Sequence, residues 1–305
     1  MDLKSKIILI SGPTASGKTS FAIKLAKKVN GEIINADSMQ VYKELKILTA
    51  RPSIKEQKKI KHHLYGFQKV NHKFSTGLWL KLAIKKIKKV QKKNKIPILV
   101  GGTGLYFKAL VDGLVKIPHI TQKERNKIRQ KQKRLGQKKF YRSLIEIDPY
   151  SKNKINHNDI QRSIRAYEIK KYTKLSMFEW FNKTKSNFEK NQFIKFYIDY
   201  PRNLIMKRII KRVNEMFSKG AIKEVKLFLK LKIRKENSSN KVIGIQEISE
   251  LLKHNIDINE AKERISIKTR QYAKRQATWA RSYMNDWIKI DFNNSNFSNL
   301  EKLLS

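Results

Sequence analysis

Residues 6–29, KIILISGPTASGKTSFAIKLAKKV, decide the fold. KIILIS is a short isoleucine-rich apolar run closed by a glycine, which reads as a buried strand. The next eight residues, Gly12, Pro13, Thr14, Ala15, Ser16, Gly17, Lys18 and Thr19, have the Gly-x4-Gly-Lys-Thr spacing of a phosphate-binding loop. Beyond the loop, Phe21, Leu25, Ala26 and Val29 recur at helical spacing. Strand, glycine-rich loop and helix is the context that makes such a loop credible. Its backbone N–H groups and the helix N-terminus receive phosphate oxygens. Lys18 reaches the terminal phosphates and Thr19 is the expected Mg²⁺ ligand.

Working outward, GEIINAD (residues 31–37) reads as a second strand and IPILVGGTG (96–104) as a third that ends in glycines. Between them, residues 78–93 carry Leu80, Ile84, Ile87 and Val90 on one helical face and lysines on the other. FIKFYIDY (193–200) reads as a strand again. Strands alternating with helices imply an α/β fold, a P-loop-type parallel sheet flanked by helices. From 118 to 190 the chain is polar, basic and helical in pattern. TQKE (121–124) opens one helix as a capping box, and Asn158-Asp159 offers a cap for another. The expected organisation is a discontinuous core, 1–117 and 191–305, with a helical insertion at 118–190. KENSSNK (235–241) reads as a mobile loop.

The 305 residues carry 69 Lys plus Arg against 25 Asp plus Glu, a formal charge of +44. That balance suits a polyanion such as nucleic acid. Abundant Lys, Ile and Asn also fit compositional drift on solvated faces, so position must carry the argument. With no cysteine, disulfides, thiolate zinc sites and thiol catalysis are excluded. No signal-peptide pattern opens the chain, and no apolar run approaches the ~20 residues that cross a bilayer. A cytoplasmic protein without membrane partners is expected.

A nucleotide hydrolase usually has an apolar strand ending in a metal-supporting Asp. Here residues 96–100 run into Gly101-Gly102-Thr103 instead. The loop therefore serves either a small-molecule or nucleotide kinase, or an enzyme that holds a departing diphosphate. Asp37, at the C-terminal edge of a strand, faces the ligand crevice as a candidate general base; equally, it can cap the following segment. Thr103 offers a hydroxyl among glycines that allow close approach, or marks a tight strand-to-helix turn. His62 and His63 are adjacent and point in different directions, which suits capping or packing better than metal binding.

With these motifs in place, the chain resembles the tRNA dimethylallyltransferases. GPTASGKT, DSMQVY (37–42), TARPS (49–53), HHLYGF (62–67), GGTGLYFKAL (101–110), NDIQRSIRAYEI (158–169), VIGIQE (242–247) and TRQYAKRQATWAR (269–281) occur in the family's order. The resemblance implies transfer of a dimethylallyl group from its diphosphate to N6 of adenosine 37, in tRNAs reading codons that begin with U. It implies Asp37 as base, Thr103 beside the reacting centre and Mg²⁺ as cofactor. Arg208 would meet the diphosphate, although on its own it reads as a solvated helix charge. Ser38, Met39, Gln40, Arg125 and the run Gln161, Arg162, Ser163, Ile164, Arg165 would touch the anticodon stem-loop. A monomer is implied as well.

In the helical segment 270–283, Arg270, Lys274 and Arg281 share one face, a candidate phosphate-contacting stripe. Tyr272, Trp279 and Tyr283 share the other, which reads as core. The chain departs from the family pattern at residues 44–51, ELKILTAR, where two glycines and an acid common in the family are missing. It departs again at Ile245, where tyrosine is common. A non-catalytic RNA-binding protein with a relic loop is the remaining alternative, and the intact Lys18-Thr19 pair speaks against it.

Overall fold

The computed structural model describes residue 3 and residues 5–291. In chain order the elements are β1 (Ile7–Ser11), α1 (Lys18–Lys28), β2 (Gly31–Asn35), α2 (Ile54–Lys59), β3 (His62–His63), α3 (Thr76–Gln91), β4 (Ile96–Val100) and α4 (Gly104–Val111). Then come α5 (Gln122–Ile147), α6 (Ile160–Thr173), α7 (Met177–Asn182), β5 (Phe193–Asp199), α8 (Arg202–Ser218), α9 (Ala221–Lys230), α10 (Ile245–Leu252), α11 (Ile258–Tyr283) and β6 (Ile288–Asp291). The chain forms two compact units: residues up to 111 with those from 188 onward, and residues 112–187.

In the first unit six parallel strands run in the order β3-β2-β4-β1-β5-β6. Both faces of this sheet are covered, so its central strands are apolar throughout rather than alternating. Successive residues of β1 enter opposite layers. Ile7 and Leu9 pack with Trp79, Ala83 and Phe107 of α3 and α4. Ile8 and Ile10 pack with Phe21, Ala22 and Leu25 of α1. A third cluster joins α8, α9, α10 and α11 to Val41, Tyr42 and Leu45.

The second unit is helical, built by α5, α6 and α7 around Phe140, Leu144, Tyr167 and Ile169. Thr121 and Glu124 form the capping box of α5, and Asp159 caps α6 by accepting from Arg162 N–H. Gly136 breaks the regularity of α5 with φ 71° and ψ 166°, in the left-handed region open to glycine.

Two strands escaped the sequence reading. β3 has two residues and no apolar pattern, and β6 reads IKID with no buried residue. The third helix starts at Thr76, before the expected Leu78, because Ser75 accepts from Leu78 N–H. The mobile loop expected at 235–241 is corrected. Asn237 and Ser239 are buried, and their side chains donate to Asn71 O at 3.0 Å and Val70 O at 2.8 Å. These polar side chains satisfy buried backbone carbonyls rather than water. His63 is also buried, 2.6 Å from Glu32 Oε2, with Lys95 3.4 Å from the same carboxylate. Among the described residues no cluster of three His, Cys, Asp or Glu is placed to hold a metal.

Candidate active site

The chemistry-bearing residues gather where β1, β2 and β4 end, the edge at which parallel α/β sheets bind ligands. After β1 the phosphate loop turns through Gly12 at φ 153° and Gly17 at φ 88°; Ala15 also takes a positive φ of 63°. A Cβ on Gly12 would lie 2.9 Å from Ile198 O, so the loop presses against β5 with no room for a side chain. Gly17 opens α1, whose free N–H groups point into the loop. Ser16 Oγ is buried beside Gly12 without a protein partner.

Lys18 bends back to donate to Pro13 O at 2.6 Å. Burial pushes its ammonium down to about 7; Asp37 opposes that shift and Arg212 adds to it. Arg212, one turn beyond Arg208 on α8, is not marked in the sequence. Its guanidinium donates to Thr14 Oγ1 at 3.0 Å, and desolvation lowers its pKa. Arg208 also lines the cavity, its guanidinium 4.9 Å from the Tyr200 ring centroid. No short sequence motif marks Arg212; the signal available was its i,i+4 spacing from Arg208 on a helix facing the loop.

β2 ends at Asn35, which is fully buried. Its Oδ1 accepts from Asp37 N–H at 2.8 Å, and its Nδ2 donates to Leu64 O and Asp37 O, each at 3.0 Å. Trp79 donates to Asn35 O at 2.8 Å and stacks on Tyr106 at 4.2 Å. The strand end that carries Asp37 is thus held from several sides. The two readings of Asp37 turn out to be compatible. Oδ1 accepts from Met39 N–H at 2.8 Å and Gln40 N–H at 3.3 Å, while the carboxylate lines the cavity. The cap fixes one oxygen and leaves Oδ2 for a ligand.

β4 leads to Thr103, whose Oγ1 accepts from Ser38 N–H at 3.0 Å. The Tyr272 phenol is hydrogen-bonded with Thr103 and Gln276, and burial holds it neutral by raising its pKa. Gln276 ties the two halves together. It accepts from Thr14 N–H at 2.8 Å and donates to Gly102 O at 2.9 Å.

Two cavities meet at this centre. The larger, about 810 Å³, holds the phosphate loop, Lys18, Asp37, Arg208 and Arg212. The smaller, about 300 Å³, is lined by Thr103, Gly104, Tyr197, Trp279 and Met284. Ser38, Tyr272, Arg275 and Gln276 are walls of both. The aromatic face of α11, expected to be core, is only partly so: Trp279 packs against the cluster around Trp79 and Phe107 and also walls a cavity. Tyr272 and Trp279 line the cavities, and Tyr283 is 51% exposed. Arg270, Lys274 and Arg281 are exposed.

Met39 and Gln40 line the larger cavity, and Gln40 donates to Thr49 O and Ala50 O at 2.9 and 3.1 Å. Those carbonyls belong to the segment that departs from the family pattern. Its shape is held by Glu224 of α9, whose carboxylate accepts from the N–H groups of Lys46, Ile47 and Leu48 at 2.8–3.0 Å. Ile245 is buried, so it offers no stacking surface.

In the second unit, Gln161 and Arg162 are exposed at the start of α6, with Arg162 3.5 Å from Asp159. Ser163 and Ile164 are buried in that unit's core, and Arg165 pairs with Glu168 at 3.1 Å. Of the five-residue run, the buried Ser163 and Ile164 are corrected to core positions, which leaves Gln161, Arg162 and the half-exposed Arg165 at the surface. Arg125 is half-buried, and its Nε is without a protein partner.

This architecture defines a P-loop-type α/β protein whose phosphate loop faces a strand-end carboxylate and a threonine, with no Asp at the end of β4. Residues 40–283 match the family model described as IPP transferase. The chain is 64% identical over 291 residues to a tRNA dimethylallyltransferase of Pelagibacter ubique, covering 95% of this chain and 93% of that one. Against one from Rickettsia massiliae identity is 40%, covering 95% and 80%. Among solved structures, a eukaryotic dimethylallyltransferase acting on tRNA superposes with a TM-score of 0.84 at 28% identity, covering 98% of this chain and 77% of that one. A tRNA isopentenylpyrophosphate transferase of Bacillus halodurans gives 0.69 at 30% identity, covering 98% and 94%. The chain belongs to the IPP transferase family.

Proposed function

We infer that this protein is a tRNA dimethylallyltransferase. It moves a dimethylallyl group from dimethylallyl diphosphate to N6 of adenosine 37 in tRNAs reading codons that begin with U, releasing diphosphate. The observation that carries the mechanism is Asp37 in the cationic, loop-lined cavity and Thr103 in the aromatic one, linked through Ser38, a wall of both. The diphosphate lies in the loop, against Lys18 and Arg212, with Arg208 at its side. The allyl group points toward Thr103, and the flipped adenine enters from the aromatic side, since a stacked base cannot reach a buried centre.

The exocyclic amine is a weak nucleophile because its lone pair is delocalised into the ring. Asp37 Oδ2 takes the N6 proton as that lone pair attacks C1 of the allyl group. The C1–O bond breaks and the electron pair leaves with the diphosphate. Lys18, Arg212 and the loop N–H groups are arranged to receive that growing charge. The Thr103 hydroxyl, held by Ser38 and Tyr272, orients the incoming base.

Thr19 lines the same cavity. One hydroxyl beside phosphate oxygens fits Mg²⁺, which keeps several waters and binds through substrate phosphates rather than a protein cage. When bound there, Mg²⁺ would neutralise part of the diphosphate charge. The exposed Arg270, Lys274 and Arg281, with Gln161, Arg162 and Arg125 of the insertion, are proposed contacts to the anticodon stem-loop, and such contacts make binding salt-dependent. Among the described residues no helix is long and apolar enough to cross a membrane. We place the enzyme in the cytoplasm as a monomer. A kinase reading would need a γ-phosphate donor and a metal-supporting strand-end Asp, and β4 ends without one.

The test is to incubate the protein with Mg²⁺, dimethylallyl diphosphate and an unmodified anticodon stem-loop carrying adenosines at positions 36 to 38. The digest is then analysed by mass spectrometry. N6-dimethylallyl adenosine is expected; its absence, with ATP consumed on a small acceptor, would favour the kinase.

A further inference from the structure

Trp279 and Tyr283 stand one turn apart on α11, with ring centroids 4.7 Å apart and planes at 27°. Trp279 is a wall of the smaller cavity, the one that contains Thr103. Its indole is fixed by close packing: a Cβ on Gly104 would lie 2.2 Å from Cε3. Tyr283 continues the stack outward and remains 51% exposed. The Lys108 ammonium lies over the ring, 5.3 Å from its centroid. A lone exposed aromatic needs no explanation. This one prolongs an aromatic stack from the wall of the smaller cavity to solvent, with a cation beside it. A phenol ring held in this way is pre-organised to stack a flat π-system, and the Lys108 ammonium that lies over it would move to a phosphate as a base takes its place.

We propose that Tyr283 is a stacking platform for the nucleobase next to the modified adenosine, and that Lys108 receives the adjoining phosphate. This rests on the transferase reading above. Flipping the target base unstacks its neighbours. A ring at the mouth of the base-side cavity would replace the lost stacking and hold the loop open. Base–aromatic stacking tolerates any sequence and, at the measured range per base, corresponds to about tenfold or more in affinity.

The test is steady-state kinetics with the anticodon stem-loop, comparing wild type, Tyr283→Ala and Tyr283→Phe. Each is also run with stem-loops made abasic at position 36 or 38. Tyr283→Ala should raise KM for the stem-loop about tenfold. KM for dimethylallyl diphosphate should hold, and Tyr283→Phe should restore the wild-type value. One abasic stem-loop should lose affinity with wild type yet lose little more with Tyr283→Ala, since both changes remove the same contact. An unchanged KM in Tyr283→Ala, or full additivity with both abasic stem-loops, would overturn the platform. Lack of product from the wild type would instead overturn the transferase reading.

Discussion

At one end of the site, Lys18 and Arg212 crowd desolvated cations around backbone N–H groups and an unpartnered Ser16 hydroxyl. At the other, Tyr272, Trp279 and Tyr283 form a short aromatic path, with Arg275 in its wall and Lys108 over its outer ring. Both ends lie on the same sheet edge and share four wall residues. The cationic end is strained without its ligand: two buried positive groups face one carboxylate, an arrangement that favours a polyanion. The aromatic end is at rest without a ligand, because flat rings cost little to leave half-covered. A reaction joining a diphosphate ester to a flat base needs both, one to bind charge that grows and one to hold a ring in place.

The sharpest way to break this comparison is at the residue between the two ends. Asp37→Asn keeps an oxygen that can accept from Met39 and Gln40 N–H, so the fold should stand. It removes the base, and kcat should fall about 10²- to 10⁴-fold with little change in either KM. A fall confined to KM would mean that Asp37 only shapes the loop. Next comes Gln276→Leu, which cuts the link between Thr14 N–H and Gly102 O. Because that link ties both ends, both KM values should rise, together lowering kcat/KM roughly tenfold per lost hydrogen bond. An effect on one substrate alone would show that the ends are positioned independently.

How far the sequence carried this picture differs along the same line. The phosphate loop, Asp37 and Thr103 were legible because each sits on a strand end with a motif of local spacing. Arg212, Asn35 and Gln276 were not. They reach the site from α8, β2 and α11 through contacts between elements, and no local pattern marks a helix face turned toward a loop 198 residues away in sequence. The aromatic face of α11 was only partly legible for a related reason. Periodicity tells which residues share a face, but a cavity wall and a core present the same apolar pattern. In the insertion, the 161–165 run was read as one contact surface, although on α6 Ser163 and Ile164 turn inward.

A gentler probe uses protons at the cationic end. Lys18 is lowered from 10.5 to about 7 by burial. A diphosphate selects the ammonium, so binding raises that pKa again. Below pH 7 the ammonium is already charged and Lys18 adds no pH dependence. Above pH 7 binding must take up a proton, and affinity for inorganic diphosphate should fall by up to about tenfold per pH unit. Calorimetry in two buffers of different ionisation enthalpy should show this uptake, and Lys18→Arg should remove it. The same shift acts on stability with the opposite slope. Between pH 7 and 10.5 the unfolded chain holds more protons at this position than the folded one, so folding is favoured as pH rises. The aromatic end, whose Tyr272 phenol is held neutral, should show no such linkage.

The smallest effect belongs to a residue that touches neither end directly. Glu224 accepts three backbone N–H groups from the 46–48 segment, and Leu48, Thr49 and Ala50 wall the larger cavity alone. With the glycines common in the family gone, this segment includes Ala50 at φ 44° and is shaped by a carboxylate instead. Glu224→Ala leaves three donors without that partner. The protein should lose about 1–3 kcal/mol, the usual cost of leaving a hydrogen-bonding group without its partner, seen as a lower midpoint in urea with an unchanged m-value. Gln40, which donates to the carbonyls of Thr49 and Ala50, would lose its footing. KM for the diphosphate substrate should therefore rise a few-fold, while the effect of Tyr283→Ala on the stem-loop stays the same. If Glu224→Ala and Tyr283→Ala proved coupled, the two ends would be joined through the segment as well as through Gln276, and the contrast between them would be a matter of degree.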